Sequence, residues 1–418
     1  MKRIQNCKDI FPVAIYMIIV ILLTLRASKT LYAAFPNSYI WGEMFINFEG
    51  GFVRRGLLGQ LLLLADSVVP VQIFWPMLYS ALFLLFCVLA YKKLAEVFDP
   101  MIVACFFISP VIFFLPLTDV GVFGRKDLFI QVILFYITQI CVNCLRHENL
   151  YRNTIYVSLL FILGMLIHEM TIFYFPLFAI LLGAAYGRQN KISQWLILTI
   201  MLFSAALLLA VVFPGDAGMI KAICASWIER YPEMPCGGGG ISFLGMPLHS
   251  SIANSLRHHA KWMSAGSAAL GLLLSAVPLF FLWAAHRPGE AVRKLLSASV
   301  VLRLSFWPAV FAPFIYSVIA VDFGRNVSLA FFTYLFFIYA AYSVWSQPQA
   351  SWLPAFKRAI SASSSLRFAV YLLAVLYGLS WRMAHWTNTS YIQPGALYSL
   401  NEACGALYSL FKKIFQLI

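Results

Sequence analysis

Runs of about twenty apolar residues, the length a helix needs to cross a hydrocarbon core, recur along most of the chain. No other feature narrows the choice of fold so far. A backbone inside a bilayer has no water to bond, so it must satisfy its own polar groups within each crossing segment or in a closed barrel. The runs place spans at 11–27, 73–91, 101–117, 128–145, 154–169, 171–186, 195–213, 265–285, 298–320, 327–345 and 368–382. The expected fold is all-α: a polytopic transmembrane bundle of about eleven spans with interfacial helices, forming one multi-pass domain over 1–418. Composition agrees. The chain is 62% hydrophobic and 11% charged, whereas a soluble domain carries about 25% charged residues. A soluble fold of this length would lack the residues for its surface.

The two ends fit the same picture. Lys2, Arg3 and Lys8 precede the first apolar run, and no small-residue cleavage site follows it. That reads as a first spanning helix rather than a removed signal peptide. At the other end, Leu397, Leu400, Cys404, Leu407, Phe411 and Ile414 recur at helical spacing. Asn401, Glu402, Lys412 and Lys413 interrupt them, so 395–418 reads as an amphipathic helix lying in the interface. The hexapeptide GALYSL occurs there twice, at 395–400 and 405–410.

The net charge is +14. In a membrane protein this speaks first about topology, because Lys and Arg in short loops stay inside. No basic run with interleaved aromatics argues for nucleic acid. An N-inside arrangement puts slightly more Lys and Arg inside than outside, and the exceptions outside are the informative residues. Most cysteines sit in apolar surroundings and read as small hydrophobes. Cys224 and Cys236 share the long outside loop 214–262 and can pair if that loop meets an oxidising compartment. No cysteine or histidine spacing resembles a metal site.

Four clusters stand out under this topology, all at the outer ends of spans. The first outside loop, 28–60, carries Glu49-Gly50-Gly51-Phe52-Val53-Arg54-Arg55-Gly56. Arginine forks suit phosphate oxygens, and glycines let a ligand approach the backbone. The second is Asp119 through Asp127, with Arg125 and Lys126. The third, His168-Glu169, joins two spans with almost no loop. The fourth is Asp322-Phe323-Gly324-Arg325-Asn326. Ionisable groups near membrane depth are costly and tend to mark function, although solvated turns and structural ion pairs use the same residues. Their joint placement implies one polar cavity opening outward, with 214–262 as a lid. The run Gly237 to Gly240 in that loop lacks the ending of a nucleotide-binding loop, and His249, His258 and His259 form no metal spacing.

Arginines and carboxylates together suit a phosphate and a sugar hydroxyl. Transfer needs a carboxylate as general base and fixed cations for the departing phosphate. Glu49 is the first candidate base and Asp119 the second. Arg54, Arg55, Arg125, Lys126 and Arg325 are candidate phosphate ligands, with Asp127 beside them. His168, Glu169 and Asp322 are placed to orient donor or acceptor.

This layout resembles the GT-C superfamily of integral membrane glycosyltransferases and their relatives, the O-antigen polymerases and ligases. In that superfamily the first extracytoplasmic loop carries a catalytic acid. Glu49, and less closely Glu43, match it, while Arg125, Lys126 and Arg325 match the basic residues of later loops. The segment EGGFVRRGLLG and the later DFGR also look like membrane proteins of bacterial polysaccharide clusters. One departure is plain: Glu43 and Glu49 stand six residues apart, not adjacent. The resemblance implies metal-independent, inverting transfer without a cofactor. The sugar would come from a polyprenyl-phosphate donor and pass to a glycan or glycolipid acceptor at the periplasmic face of a bacterial inner membrane. Two alternatives stay open: a polymerase or ligase using a polyprenyl-diphosphate oligosaccharide, and a transporter or flippase for lipid-linked glycans.

Overall fold

A computed structural model describes residues 7–345, except 37–38, 99, 120, 147–148, 214, 235–238, 246–249, 251, 254–255, 258–261, 287–288 and 320–321, and further positions at 373, 376–377, 380–384 and 392–394. The described chain is helical. Its elements are α1 (Cys7–Ala33), α2 (Tyr39–Met44), α3 (Gly56–Ala65), α4 (Val71–Ala95), α5 (Pro100–Phe107), α6 (Leu115–Thr118), α7 (Asp127–Leu145), α8 (Leu150–Ile167), α9 (Thr171–Arg188), α10 (Ile192–Val212), α11 (Ala217–Ile228), a 3₁₀ turn (Gly239–Gly245), α12 (Trp262–His286), α13 (Gly289–Leu296), α14 (Val300–Ile319) and α15 (Phe323–Trp345). Trp381–Met383 (β1) and Ile392–Pro394 (β2) pair as a short antiparallel ribbon.

Among the described residues, eight helices are long and apolar enough to cross a membrane: α4, α7, α8, α9, α10, α12, α14 and α15. The chain is therefore a polytopic helical membrane protein. The remaining expected spans fare differently. The span at 11–27 lies inside α1, a continuous helix of 27 residues. The span at 368–382 and the amphipathic helix at 395–418 fall almost wholly outside the described residues. The span at 101–117 is corrected: it is not one helix. Pro110 lacks an N–H and disfavours helical geometry at Ser109, so α5 stops at Phe107 and the chain turns before α6. Irregular backbone at membrane depth survives only where protein covers it. Val111, Ile112, Phe113 and Phe114 are accordingly at most 2% exposed.

Helices α7, α9 and α15 form the centre and are largely buried, while α10, α12 and α14 turn side chains such as Ile197, Leu273, Phe280 and Leu304 outward. That exposed apolar surface is what lipid would cover. From α7 onward successive spanning helices reverse direction, whereas α4 runs parallel to α7 because the broken segment α5–α6 returns the chain between them. The C-terminal ends of α7, α9 and α15 meet at one end of the bundle, where Arg188 donates to the Leu145 carbonyl at 2.7 Å, Arg146 approaches the Ser343 carbonyl at 3.4 Å and Arg188 lies over Trp345. The N-terminal ends of the same helices converge on the opposite end. Each has a carboxylate in or just before its first turn: Asp127, Glu169 and Asp322. Helix N-termini carry partial positive charge and favour acids, and C-termini favour bases.

Candidate functional site

At that acidic end the four sequence clusters meet, around a residue that sequence reasoning ranked below another. Glu43, on α2, is 1% exposed. Its Oε2 accepts from Arg125 Nε at 2.8 Å, and its Oε1 lies 3.4 Å from His168 Nε2. Arg125 also donates from Nη2 to Asp322 Oδ2 at 2.8 Å, and its guanidinium lies over the Tyr39 ring. Arg325 donates from Nη1 to the same Asp322 oxygen at 2.9 Å and brings Nε within 3.2 Å of Asp127 Oδ2. Burial on its own would raise the Glu43 carboxyl. Arg125, Arg325 and His168 outweigh it and hold that carboxyl well below its ordinary range.

A second group adjoins the first. Arg55 grips both oxygens of Glu169, with Nε at 2.9 and 2.6 Å and Nη2 closer still. Burial would raise Glu169, but Arg55 and His168 carry it far below the usual carboxylate range. Arg55 sits at φ 70°, left-handed for a residue with a Cβ, a conformation that costs about 1–2 kcal/mol and persists only when its surroundings enforce it. The Glu169 fork is one such constraint. The other is Lys126, whose Nζ donates to the Arg55 carbonyl at 2.6 Å. Lys126 is buried, which depresses its ammonium to about 7. His168 links the two groups: Nδ1 accepts from the Met170 N–H at 3.3 Å and stands 3.4 Å from Glu169 Oε2. Burial, aided by Arg55, pushes its imidazole down to about 4, so it is neutral at pH 7.

Most residues expected to line one polar cavity, rich in arginine and lined by several carboxylates, meet here. Carboxylates and guanidiniums are present in comparable number, and in a medium of low dielectric they pair with one another. The side chains at the rim are Asp322, 21% exposed, Arg54 at 17%, Arg55 at 16% and Glu169 at 13%. Arg54 is the least committed arginine. Its Nη1 is 3.9 Å from Glu169, and its buried Nε has no hydrogen-bond partner. It lies with Phe52, Met165, Leu166 and Leu209 in a small, mostly apolar recess beside Glu169.

Two candidate acids stand apart. Glu49 accepts from Gln60 Nε2 at 3.1 Å in an exposed setting and makes no ion pair with the cluster among the described residues. Asp119 is buried, accepts from the Gly121 N–H at 3.0 Å and pairs with Arg382 of β1 at 2.6 Å. The importance of Glu43 had one sequence signal: it interrupts an apolar run, Ile40-Trp41-Gly42-Glu43-Met44-Phe45-Ile46, and a lone acid there must be buried and paired. Nothing in the sequence announced the Arg382 pairing.

The long loop docks on the first outside loop. Trp227 Nε1 donates to the Phe45 carbonyl at 2.8 Å, and Asn47 donates to Ser226 at 2.9 Å. Arg230 and Tyr231 both hold Asp66, the first at 3.0 Å. Gly240 lies against the backbone of Glu43, where a Cβ would come within 2.6 Å of the Glu43 Cα. Cys224 is disulfide-bonded. Its expected partner Cys236, like His249, His258 and His259, lies outside the described residues. Among the described residues no group of three His, Cys, Asp or Glu side chains is arranged to hold a metal ion. Comparison with protein-family models, with curated proteins and with solved structures found no match.

Proposed function

We propose that this chain is a membrane glycosyltransferase, moving a sugar from a polyprenyl-phosphate-linked donor to a glycan or glycolipid acceptor on the extracytoplasmic face. The observation that carries this reading is the pairing, at the rim, of a part-committed cation with an apolar recess. Arg54 projects beside Phe52, Met165, Leu166 and Leu209. A lipid phosphate needs both parts of that arrangement: an apolar wall for its tail and a guanidinium for its oxygens.

The other groups take roles by their reach. Asp322 is the most exposed carboxylate of the cluster and can meet an acceptor hydroxyl as general base. Glu43 and Asp127 are too enclosed for that; they hold Arg125 and Arg325 so that positive charge stands ready for the departing phosphate. His168 keeps the two halves in register. Glu49 gives way to Asp322 as the candidate base. The disulfide at Cys224 supports an oxidising compartment for this face, in keeping with the periplasmic side of a bacterial inner membrane.

The test is a transfer assay. The purified protein is offered polyprenyl-monophosphate sugars and, separately, polyprenyl-diphosphate oligosaccharides, and products are read by mass spectrometry. Transfer from the monophosphate donor is expected. Loss of a general base typically lowers the rate about 100- to 10,000-fold, so Asp322→Asn should fall in that range while Arg54→Ala raises the donor KM. Transfer from the diphosphate donor alone would move the protein to the polymerase or ligase class. Movement of either lipid across a vesicle without transfer would overturn the enzyme reading.

A further inference from the structure

The opposite end of the bundle holds a second polar feature that the transfer chemistry does not use. Between the C-terminal ends of α4, α7 and α15 lies a cleft of about 430 Å³, within the usual size range of ligand sites. Lys93, Gln139, Asn143, Arg146, Tyr339 and Ser343 line it, with Glu96 at its edge. Three helix C-termini would by themselves repel an anion. The side chains reverse that field. Arg146 and Lys93 project there, and Arg188 stands nearby on the Leu145 carbonyl. Glu96 is the one acid of the lining, and it is held by Lys93 at 3.0 Å in an exposed pair, the kind that contributes little and yields readily to a competitor.

The decisive group is Gln139. Its Oε1 accepts from the Tyr339 hydroxyl at 3.4 Å. Its Nε2 is buried and has no hydrogen-bond partner. A buried unpaired donor costs about 1–3 kcal/mol, and here it belongs to a residue lining a cleft that also presents Arg146 and Lys93. The missing partner is an acceptor-rich anion. The cleft lies at the ends of spanning helices, level with lipid head groups. Basic clefts between transmembrane helices at that depth suit anionic head groups.

We infer that this cleft is a binding site for a phosphate-bearing anion, supplied by the head group of an anionic phospholipid. Arg146 and Lys93 hold the phosphodiester oxygens, and Gln139 Nε2 donates to the same group. The site is independent of the transfer reaction at the other end.

The experiment uses the full-length protein in a zwitterionic detergent. Phosphatidylglycerol, phosphatidylcholine and inorganic phosphate are titrated separately, with retention followed by native mass spectrometry and thermal unfolding. Phosphatidylglycerol should bind at least about 10-fold more tightly than phosphatidylcholine, the equivalent of about 1.4 kcal/mol. Arg146→Gln and Gln139→Leu should each remove most of that preference while the unfolding temperature without lipid stays close to wild type. Equal affinity for the two lipids, or an unchanged preference in both variants, overturns the site. Equal protection by inorganic phosphate overturns the lipid as its source.

Discussion

At the scale of single residues, the cluster is an exercise in compensation. Most of its buried charges are tolerable because an opposite charge sits within hydrogen-bond reach. Removing one partner is therefore far more damaging than its surface equivalent. Arg125→Met removes the nearest cation of Glu43 and one of the two guanidiniums on Asp322, and is expected to lower stability by about 3–5 kcal/mol, read as a fall in the thermal midpoint in detergent. Glu49→Gln, whose hydrogen bond from Gln60 is exposed, should change stability by no more than about 0.5 kcal/mol. A midpoint for Glu49→Gln as low as that of Arg125→Met would mean that the wrong acid has been placed at the centre. His168 adds a pH dependence with a defined sign. Its imidazole lies at about 4 in the folded protein against an ordinary 6.5. Between those values the unfolded chain holds a proton that the folded chain does not, so stability rises with pH across that window and falls on acidification. His168→Gln should flatten the unfolding midpoint between pH 6.5 and 4. The residue types at these positions were legible from the sequence. The choice of Glu43 over Glu49 had only the apolar run around Glu43 to signal it, because both lie in the same loop and burial separates them.

Among elements, the informative one is the broken segment 100–118. An apolar run of that length reads as a span, and it becomes a short helix, a turn and another short helix. The proline at 110 ends α5. What keeps the turn at membrane depth is aromatic contact: Phe113 stacks on Phe107 at 4.0 Å and meets Phe86 at 5.9 Å and Phe332 at 6.0 Å. Phe113→Ala should accordingly destabilise the protein by about 3–5 kcal/mol, measured by thermal unfolding; an unchanged midpoint would show that the turn is held by something else. The docked outer loop makes a second case. Gly240 brings no side chain of its own, and one placed there has to displace the Glu43 backbone. Gly240→Val should reduce the proposed transfer activity as strongly as a change within the cluster, although no residue of the Arg54 recess is altered. The sequence offered the glycine run but not its contact, which brings together residues almost two hundred positions apart.

Over the whole molecule, the two ends of the bundle carry different charge patterns. N-terminal helix ends gather Asp127, Glu169 and Asp322 at one face, and C-terminal ends gather Lys93, Arg146 and Arg188 at the other. Dipoles and the tendency of basic loops to stay inside act in the same sense. With the N-terminus inside, a cysteine placed at exposed Ser67, on the cluster side, should react with a membrane-impermeant maleimide on intact cells. One placed at exposed Asn190, on the opposite side, should react only after permeabilisation. The reverse pattern would overturn the orientation and with it the extracytoplasmic site.

The sequence alone determined that this is a helical membrane protein with its chemically capable residues at the ends of its spans. Those properties are local: the length of an apolar run decides whether it crosses, and each crossing reverses the chain. It did not determine which charges meet. Glu43, Arg125, His168, Asp322 and Arg325 come from distant parts of the chain, and their pairing depends on which helices lie side by side and which loop closes over them. Only tertiary structure set those distances, because a buried charge takes the partner that helix packing brings within reach, whatever its position in the chain.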